Sequence, residues 1–176
     1  MKIWSTLIGS VILASASGAA LAESSSEVLF RHKHWMVEGV TFDDGTVACL
    51  AEVDDPNDSF SIWTYPDATI KLQFYSTSWD FGDTGDTADL QVVIDRRAPW
   101  NLTGADLYMN SVLFTLPGSD DAVNFLMEVA NGNKLYLNDA NGNGVVWYSL
   151  AGSSASMSAM IDCGNAIAGS DPNPFK

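Results

Sequence analysis

The clearest pattern in the chain runs over residues 69–75, where Ile70, Leu72 and Phe74 alternate with Lys71 and Gln73. A period of two with one apolar side predicts a strand half-buried against a core. Similar β-type stretches begin at Val28 and recur through most of the chain. Residues 28–30 open a first strand and 34–38 a second. Asp44-Gly45 then predicts a hairpin turn, because this pair tolerates the positive φ such turns require. Val47, Cys49 and Ala51 alternate with Ala48 and Leu50, so both faces are apolar and the strand is predicted to be central in its sheet. In residues 59–65, Phe60 and Ile62 oppose Trp63 and Tyr65. Leu90, Val92 and Ile94 make a further strand, broken at Pro99. Residues 107–116 read as one β-type run with Val112, Phe114 and Leu116 on one side.

The period then changes. Ser119 followed by Asp120 and Asp121 reads as an N-cap with acids in the first turn, where the helix dipole favours them. Val123, Leu126, Met127 and Ala130 fall at i, i+3, i+4 and i+7, predicting one buried helical face. Asn131 and Gly132 stop that helix. Residues 135–137 and 145–150 read as strands joined by a turn over 138–144. A last helix is predicted with Ser153 as its cap, Ala155, Ala159 and Cys163 on one side, and Gly164 as its end. The sum is roughly eight strands with two short, late helices: mainly β (α+β), an antiparallel sheet or β-sandwich with helices packed at one side.

The two cysteines sharpen this picture once the amino terminus is considered. Lys2, an apolar run over 3–14 and a small-x-small site at Ala20, Leu21 and Ala22 predict a signal peptide over residues 1–22. The run is shorter than the roughly 20 residues a membrane span needs, so no membrane insertion is expected. The domain is then predicted over 23–168 and a tail over 169–176. Periplasmic or secreted location follows, and in an oxidising compartment Cys49 and Cys163 are expected to pair. That bond would tie an early strand to the last helix.

The formal charge is −14 over 176 residues, and cleavage after Ala22 would remove Lys2 and no acid. Such an acidic surface disfavours nucleic acid as a partner. Trp79 and Trp100 flank loops rich in Asp, Gly, Asn and Pro, so they are the expected exposed aromatics. With Asp80, Asp83 and Asp86 they form the predicted binding set, for an unidentified protein or glycan. His32 and His34, two apart, would share one side of a strand; a copper or zinc role is weighed against a solvated edge, which is the default. Asp139, Asn141, Asn143 and Gly144 resemble half of an EF-hand loop, but Leu150 stands where the final acid belongs, and a hairpin turn explains the same residues. The acidic loops over 54–58 and 80–86 are the other calcium candidates. No nucleophile elbow, zincin or phosphate-binding motif appears, so no catalytic residue and no cofactor are predicted.

Trp35, Cys49, Leu50, Ala51, Trp79, Ile94, Asp95, Leu150, Gly152, Ser153 and Cys163, at their spacing, resemble the invasion-associated locus B family of exported proteobacterial proteins. The resemblance covers most of the chain after residue 22. It implies a signal peptide, a β-rich fold and few cysteines, and it supplies no catalytic residue. This chain differs in its strong acidity and in lacking a cysteine just after Trp35. The expected function is an exported, soluble, non-catalytic binding or inhibitor-like protein acting through loops on a disulfide-closed β scaffold. The alternatives are a carbohydrate-binding module or hydrolase, and a calcium-dependent structural protein.

Overall fold

A computed structural model describes residues 24–169; the predicted signal peptide over 1–22, and the tail beyond residue 169, lie outside them. Its ten strands are β1 (Ser25–His32), β2 (Trp35–Thr41), β3 (Val47–Asp54), β4 (Asp58–Thr64), β5 (Ile70–Ser76), β6 (Thr87–Ile94), β7 (Trp100–Tyr108), β8 (Ser111–Thr115), β9 (Lys134–Asp139) and β10 (Gly144–Ser149). Helix α1 (Ser119–Ala130) precedes β9, and α2 (Ser153–Ala168) follows β10. All ten strands form one sheet in the order β1-β2-β3-β4-β5-β8-β7-β6-β9-β10. Every neighbouring pair is antiparallel. The fold is therefore mainly antiparallel β with two late helices, as the patterning predicts.

Local chemistry explains most of the elements. β5 buries Ile70, Leu72 and Phe74 and leaves Lys71 exposed. β3 buries residues on both faces and lies inside the sheet, between β2 and β4. Gly45 adopts φ 82° in the β2–β3 turn, where Asp44 accepts a hydrogen bond from the Thr46 N–H at 2.8 Å. Two strands were illegible as a pair: residues 107–116 are the end of β7, a turn at Met109 and Asn110, and β8. Pro99 does not isolate Trp100; it precedes a strand that begins there, a position where proline removes no ladder hydrogen bond.

The connection from β5 to β6 has to pass two strands, β8 and β7. Strands lie about 4.8 Å apart, so the chain needs a long crossing here, and residues 77–86 supply it. The crossing is tied down as it goes. Phe81 N–H donates to Met109 O at 2.8 Å, and Met109 N–H donates to Gly82 O at 2.7 Å.

Both helices sit differently from the sequence expectation. α1 buries Ala122, Phe125 and Val129, while Val123 and Met127 are exposed. Two overlapping apolar stripes compete on that helix, and the one carrying the large Phe125 ring takes the core. Gly118, not Ser119, occupies the cap position. In α2 the cap position is Gly152, and Ser153 is the first helical residue. The Ser153 hydroxyl instead donates to Val129 O at 2.7 Å, joining the start of α2 to the end of α1. The buried stripe of α2 is Ser156, Met157, Met160 and Cys163 rather than Ala155 and Ala159. Gly164 does not end the helix, which continues to Ala168. A Cβ at Gly164 would stand 3.3 Å from the Thr64 methyl, so glycine there lets α2 lie close on β4.

Cys49 and Cys163 form a disulfide, with Cα atoms 6.1 Å apart and a sequence separation of 114. The bond fastens α2 to β3. At the other end, Gly152 (φ 107°) presses against the β1–β2 turn: a Cβ there would meet His32 O at 2.9 Å and Lys33 Cβ at 3.3 Å.

Two stability changes follow. Replacing both cysteines by alanine should cost up to about 5 kcal/mol, the chain-entropy value for a loop of this length, read as a lower denaturant midpoint. Gly152→Ala combines positive-φ strain with a backbone clash and should cost about 2 kcal/mol or more. Gly45→Ala, with positive φ but open space around it, should cost about 1 kcal/mol; the same denaturation curves give the comparison.

Candidate functional site

The predicted binding set does not come together. Trp79 lies in the β5–β6 crossing, where Asn110 donates through its side chain to Trp79 O and the ring packs 5.7 Å from Phe81. Trp100 begins β7, whereas the Trp79 loop is bonded to the turn that ends it. The nine residues of β7 separate the two by about 26 Å at 3.3 Å per residue. Trp100 is moreover occupied: its indole N–H donates to Glu128 Oε2 at 3.1 Å, and its ring meets Phe125 edge-on at 5.5 Å. Asp80 and Asp83 are exposed, and Asp86 accepts from the Thr84 hydroxyl at 2.7 Å. These acids belong to the crossing described above. Both tryptophans are half-buried packing residues, not free platforms.

The histidine pair separates too. His32 closes β1, and His34 stands in the turn that follows, so the two share no strand face. Asp139 serves the β9–β10 turn: its Oδ1 accepts from the N–H groups of Asn141 and Asn143 at 2.9 and 2.8 Å, and its Oδ2 from the Asn143 amide at 2.8 Å. Among the described residues, no three of His, Cys, Asp and Glu gather into a metal-holding group.

What the fold does assemble is a seam. The sheet curls until its last strand returns over its first half, and the Tyr148 ring packs 5.8 Å from Phe60 and 6.2 Å from Phe74. Phe60 in turn meets Trp35 edge-on at 6.3 Å. The curl stops short of closure, and a cleft of about 280 Å³ remains. One wall is His34 with Val53 and Asp54 at the end of β3 and Asp55 and Pro56 of the β3–β4 turn; the other is Trp147, Tyr148 and Ser149 of β10. A second hollow of about 150 Å³ adjoins it, sharing His34 and Asp54 and lined also by Trp35 and Arg31.

Polar accounting singles out the same place. Among the described residues, two buried side-chain atoms have no hydrogen-bond partner, Trp35 Nε1 and the Tyr148 hydroxyl. Trp35 is 1 % exposed and Tyr148 4 %. One lines each hollow. A buried polar group without a partner costs about 1–3 kcal/mol, a cost that the fold carries at both positions. Burial, and secondarily the charge of Asp58, push the Tyr148 pKa far above the usual phenol value. The hydroxyl is therefore a fixed donor, unsuited to act as a base near neutral pH.

Trp147 is the exposed tryptophan that the sequence hides, with 54 % of its surface free. It sits in an apolar run, Val145 to Tyr148, that reads as core. Lys134 Nζ lies 4.2 Å from the centre of its ring, a cation–π contact. That lysine is itself held in place by Asp95, a left-handed residue (φ 55°) at the end of β6. The Asp95 carboxylate accepts the N–H of Lys134 at 2.9 Å and that of Asn133 at 3.1 Å. These bonds hold the Asp95 pKa below the ordinary value, the Lys134 N–H contributing most. Against the seam stands one contrasting surface, an apolar groove of about 290 Å³ between α1 and α2 that includes Val123, Leu126 and Ile161.

Neither family models, curated proteins nor solved structures match this chain.

The carboxylates predict an acid response. Asp95 and Asp139 both have pKa values lowered from 3.8 by hydrogen bonds to their charged forms, Asn143 leading for Asp139. A lowered folded pKa means the stabilisation is complete above the unfolded value, near pH 3.8, and is lost as pH falls through the folded value. Carboxyl-carbon NMR titration should place both midpoints below 3.8. Asp95→Ala should also loosen the Lys134–Trp147 contact, seen as a changed indole shift.

Proposed function

We propose that the protein is an exported, non-catalytic binding domain that recognises a partner at the seam between β10 and the β3–β4 turn. The observation that carries this reading is the coincidence in one cleft of an exposed tryptophan and two exposed aspartates, beside the unpaired edge of the last strand. Exposed aromatic rings beside desolvated polar groups are the usual anchors of protein recognition. The Tyr148 hydroxyl, kept protonated by burial with its ring packed against Phe60 and Phe74, is unsuited to proton transfer.

The disulfide and the amino-terminal pattern support export to the periplasm or beyond. Kinship with the invasion-associated locus B family belongs to the same proposal. Its support is that Trp35 on β2, Cys49 on β3, Gly152 at the cap of α2 and Cys163 within α2, which carry the resemblance, include the disulfide and the contact that fasten α2 to the sheet. A glycan partner is the weaker reading, because sugar stacking needs a free ring face and Lys134 already covers one face of Trp147.

The test is capture from envelope extract by the wild type, by Trp147→Ala and by a triple Asp80→Asn, Asp83→Asn, Asp86→Asn variant. Truncating an aromatic anchor typically costs at least about 2 kcal/mol, or some 30-fold in affinity. Trp147→Ala should show that loss, and the triple variant should bind as wild type. Capture indifferent to Trp147, or abolished by the triple variant alone, returns the site to the β5–β6 crossing.

A further inference from the structure

We infer that the seam takes an extended, cationic peptide segment, which pairs with β10 as an added strand and sets a Lys or Arg side chain opposite Asp54 and Asp55. This rests on the seam reading above and names its occupant.

The backbone of β10 carries the first part. β10 is the last strand in the sheet order, paired with β9 on one side only. Leu150 N–H donates to Asn133 O at 2.9 Å. Antiparallel hydrogen bonding alternates from residue to residue, so with Tyr148 opposite Leu135 and Val146 opposite Leu137, those residues also direct their main-chain groups to β9. Trp147 and Ser149, opposite Tyr136 and Lys134, turn theirs to the free edge. These same two residues line the cleft. An unpaired edge with side-chain pockets beside it is the geometry of strand addition. The reach is short. The register shift between Gly144 and Val146 bends the other end of β10 away, leaving Trp147 to Ser149 for pairing.

Charge chooses the occupant. The far wall presents Asp54 and Asp55, both exposed, on a chain of net charge −14. A second copy pairing through its own β10 would bring the same aspartates and the same net charge, and would be repelled. A peptide with a central cation is attracted, and the field of the whole molecule speeds its approach.

The probe is a capped synthetic peptide, Thr-Val-Thr-Lys-Thr-Val-Thr, titrated into the isotope-labelled chain and followed by amide NMR. Perturbed signals should centre on Trp147, Ser149, Asp54 and Asp55. Exchanging the central Lys for Glu should weaken binding about 10-fold or more, the size of a lost charge-assisted contact. Asp54→Asn with Asp55→Asn should erase most of that preference. N-methylation of one alternate set of peptide amides should abolish binding, and of the other set should leave it. Equal tolerance of both sets overturns strand addition, as do shifts that map to the α1–α2 groove. Absence of peptide binding while Trp147-dependent capture persists, or seam binding by an oligosaccharide alone, overturns the peptide and leaves the seam. Loss of Trp147 dependence in capture removes both. Self-association through β10, seen as concentration-dependent shifts without peptide, overturns the cationic occupant.

Discussion

The tie between Cys49 and Cys163 is the constraint on which the rest of the molecule depends, because of what it does to the chain just before it. Between β10 and α2 stand only Leu150, Ala151 and Gly152. A helix fastened to β3 therefore determines where the last strand can lie. With Gly152 seated on the β1–β2 turn, β10 is delivered over β3 and β4. Tyr148 can then pack against both rings of the stacked Phe60–Phe74 pair, and such aromatic contacts add about 0.5–1.5 kcal/mol each beyond burial. Packing completes what the covalent bond begins. The two act on the same closure, so their contributions should not be additive.

The seam is a consequence of that closure, not an addition to it. Ten strands curled around one core can meet edge to edge and remove both edges, or stop short. Here the helices occupy part of the space. α2 lies along β1, β2 and β3, and α1 packs on α2, so strand-to-strand closure is replaced by helix on one side. β1 gains a neighbour in this way. β10 does not, and its edge opens on a cleft walled by aspartates. An exposed edge is a liability for aggregation, and this one is blunted by its irregular end and by the repulsion between acidic copies. The same features set the character of any recognition there, which has few main-chain bonds available and depends on charge.

How much of this was legible in the residues depends on which physical signal each part uses. Two cysteines have one possible pairing within the chain, so the bond between β3 and α2 could be read directly. β5 could be read from Lys71 and Gln73, because one of its faces meets solvent. Helix orientation was less readable. On α1, Val123, Leu126, Met127 and Ala130 satisfy helical spacing as well as Ala122, Phe125 and Val129 do, and only tertiary packing decides between them. The tryptophans show the limit most sharply. Trp79 and Trp100 have polar neighbours in sequence, which suggests exposure, yet Phe81, Phe125 and Glu128 reach them from elsewhere. Trp147 has apolar neighbours, which suggests burial, yet it lies on the outer face of an edge strand. Alternation reports which residues share a face; it carries no information on where a strand stands in its sheet.

That difference bears on why the site lies at the seam. A loop site could have been assembled from neighbouring residues, and the acidic crossing between β5 and β6 has the composition of one. Its turns and bonds are accounted for by the need to pass β8 and β7, and its aromatic residues are spent on packing. The seam gathers His34, Asp54 and Trp147 from three distant parts of the chain, and it leaves two buried donors unsatisfied. Only a fold with stability to spare carries those costs. The covalent tie supplies much of that margin: a cross-link over a loop of this length is worth about 5 kcal/mol in the chain-entropy model, comparable to the roughly 2–6 kcal/mol that two orphaned polar groups cost.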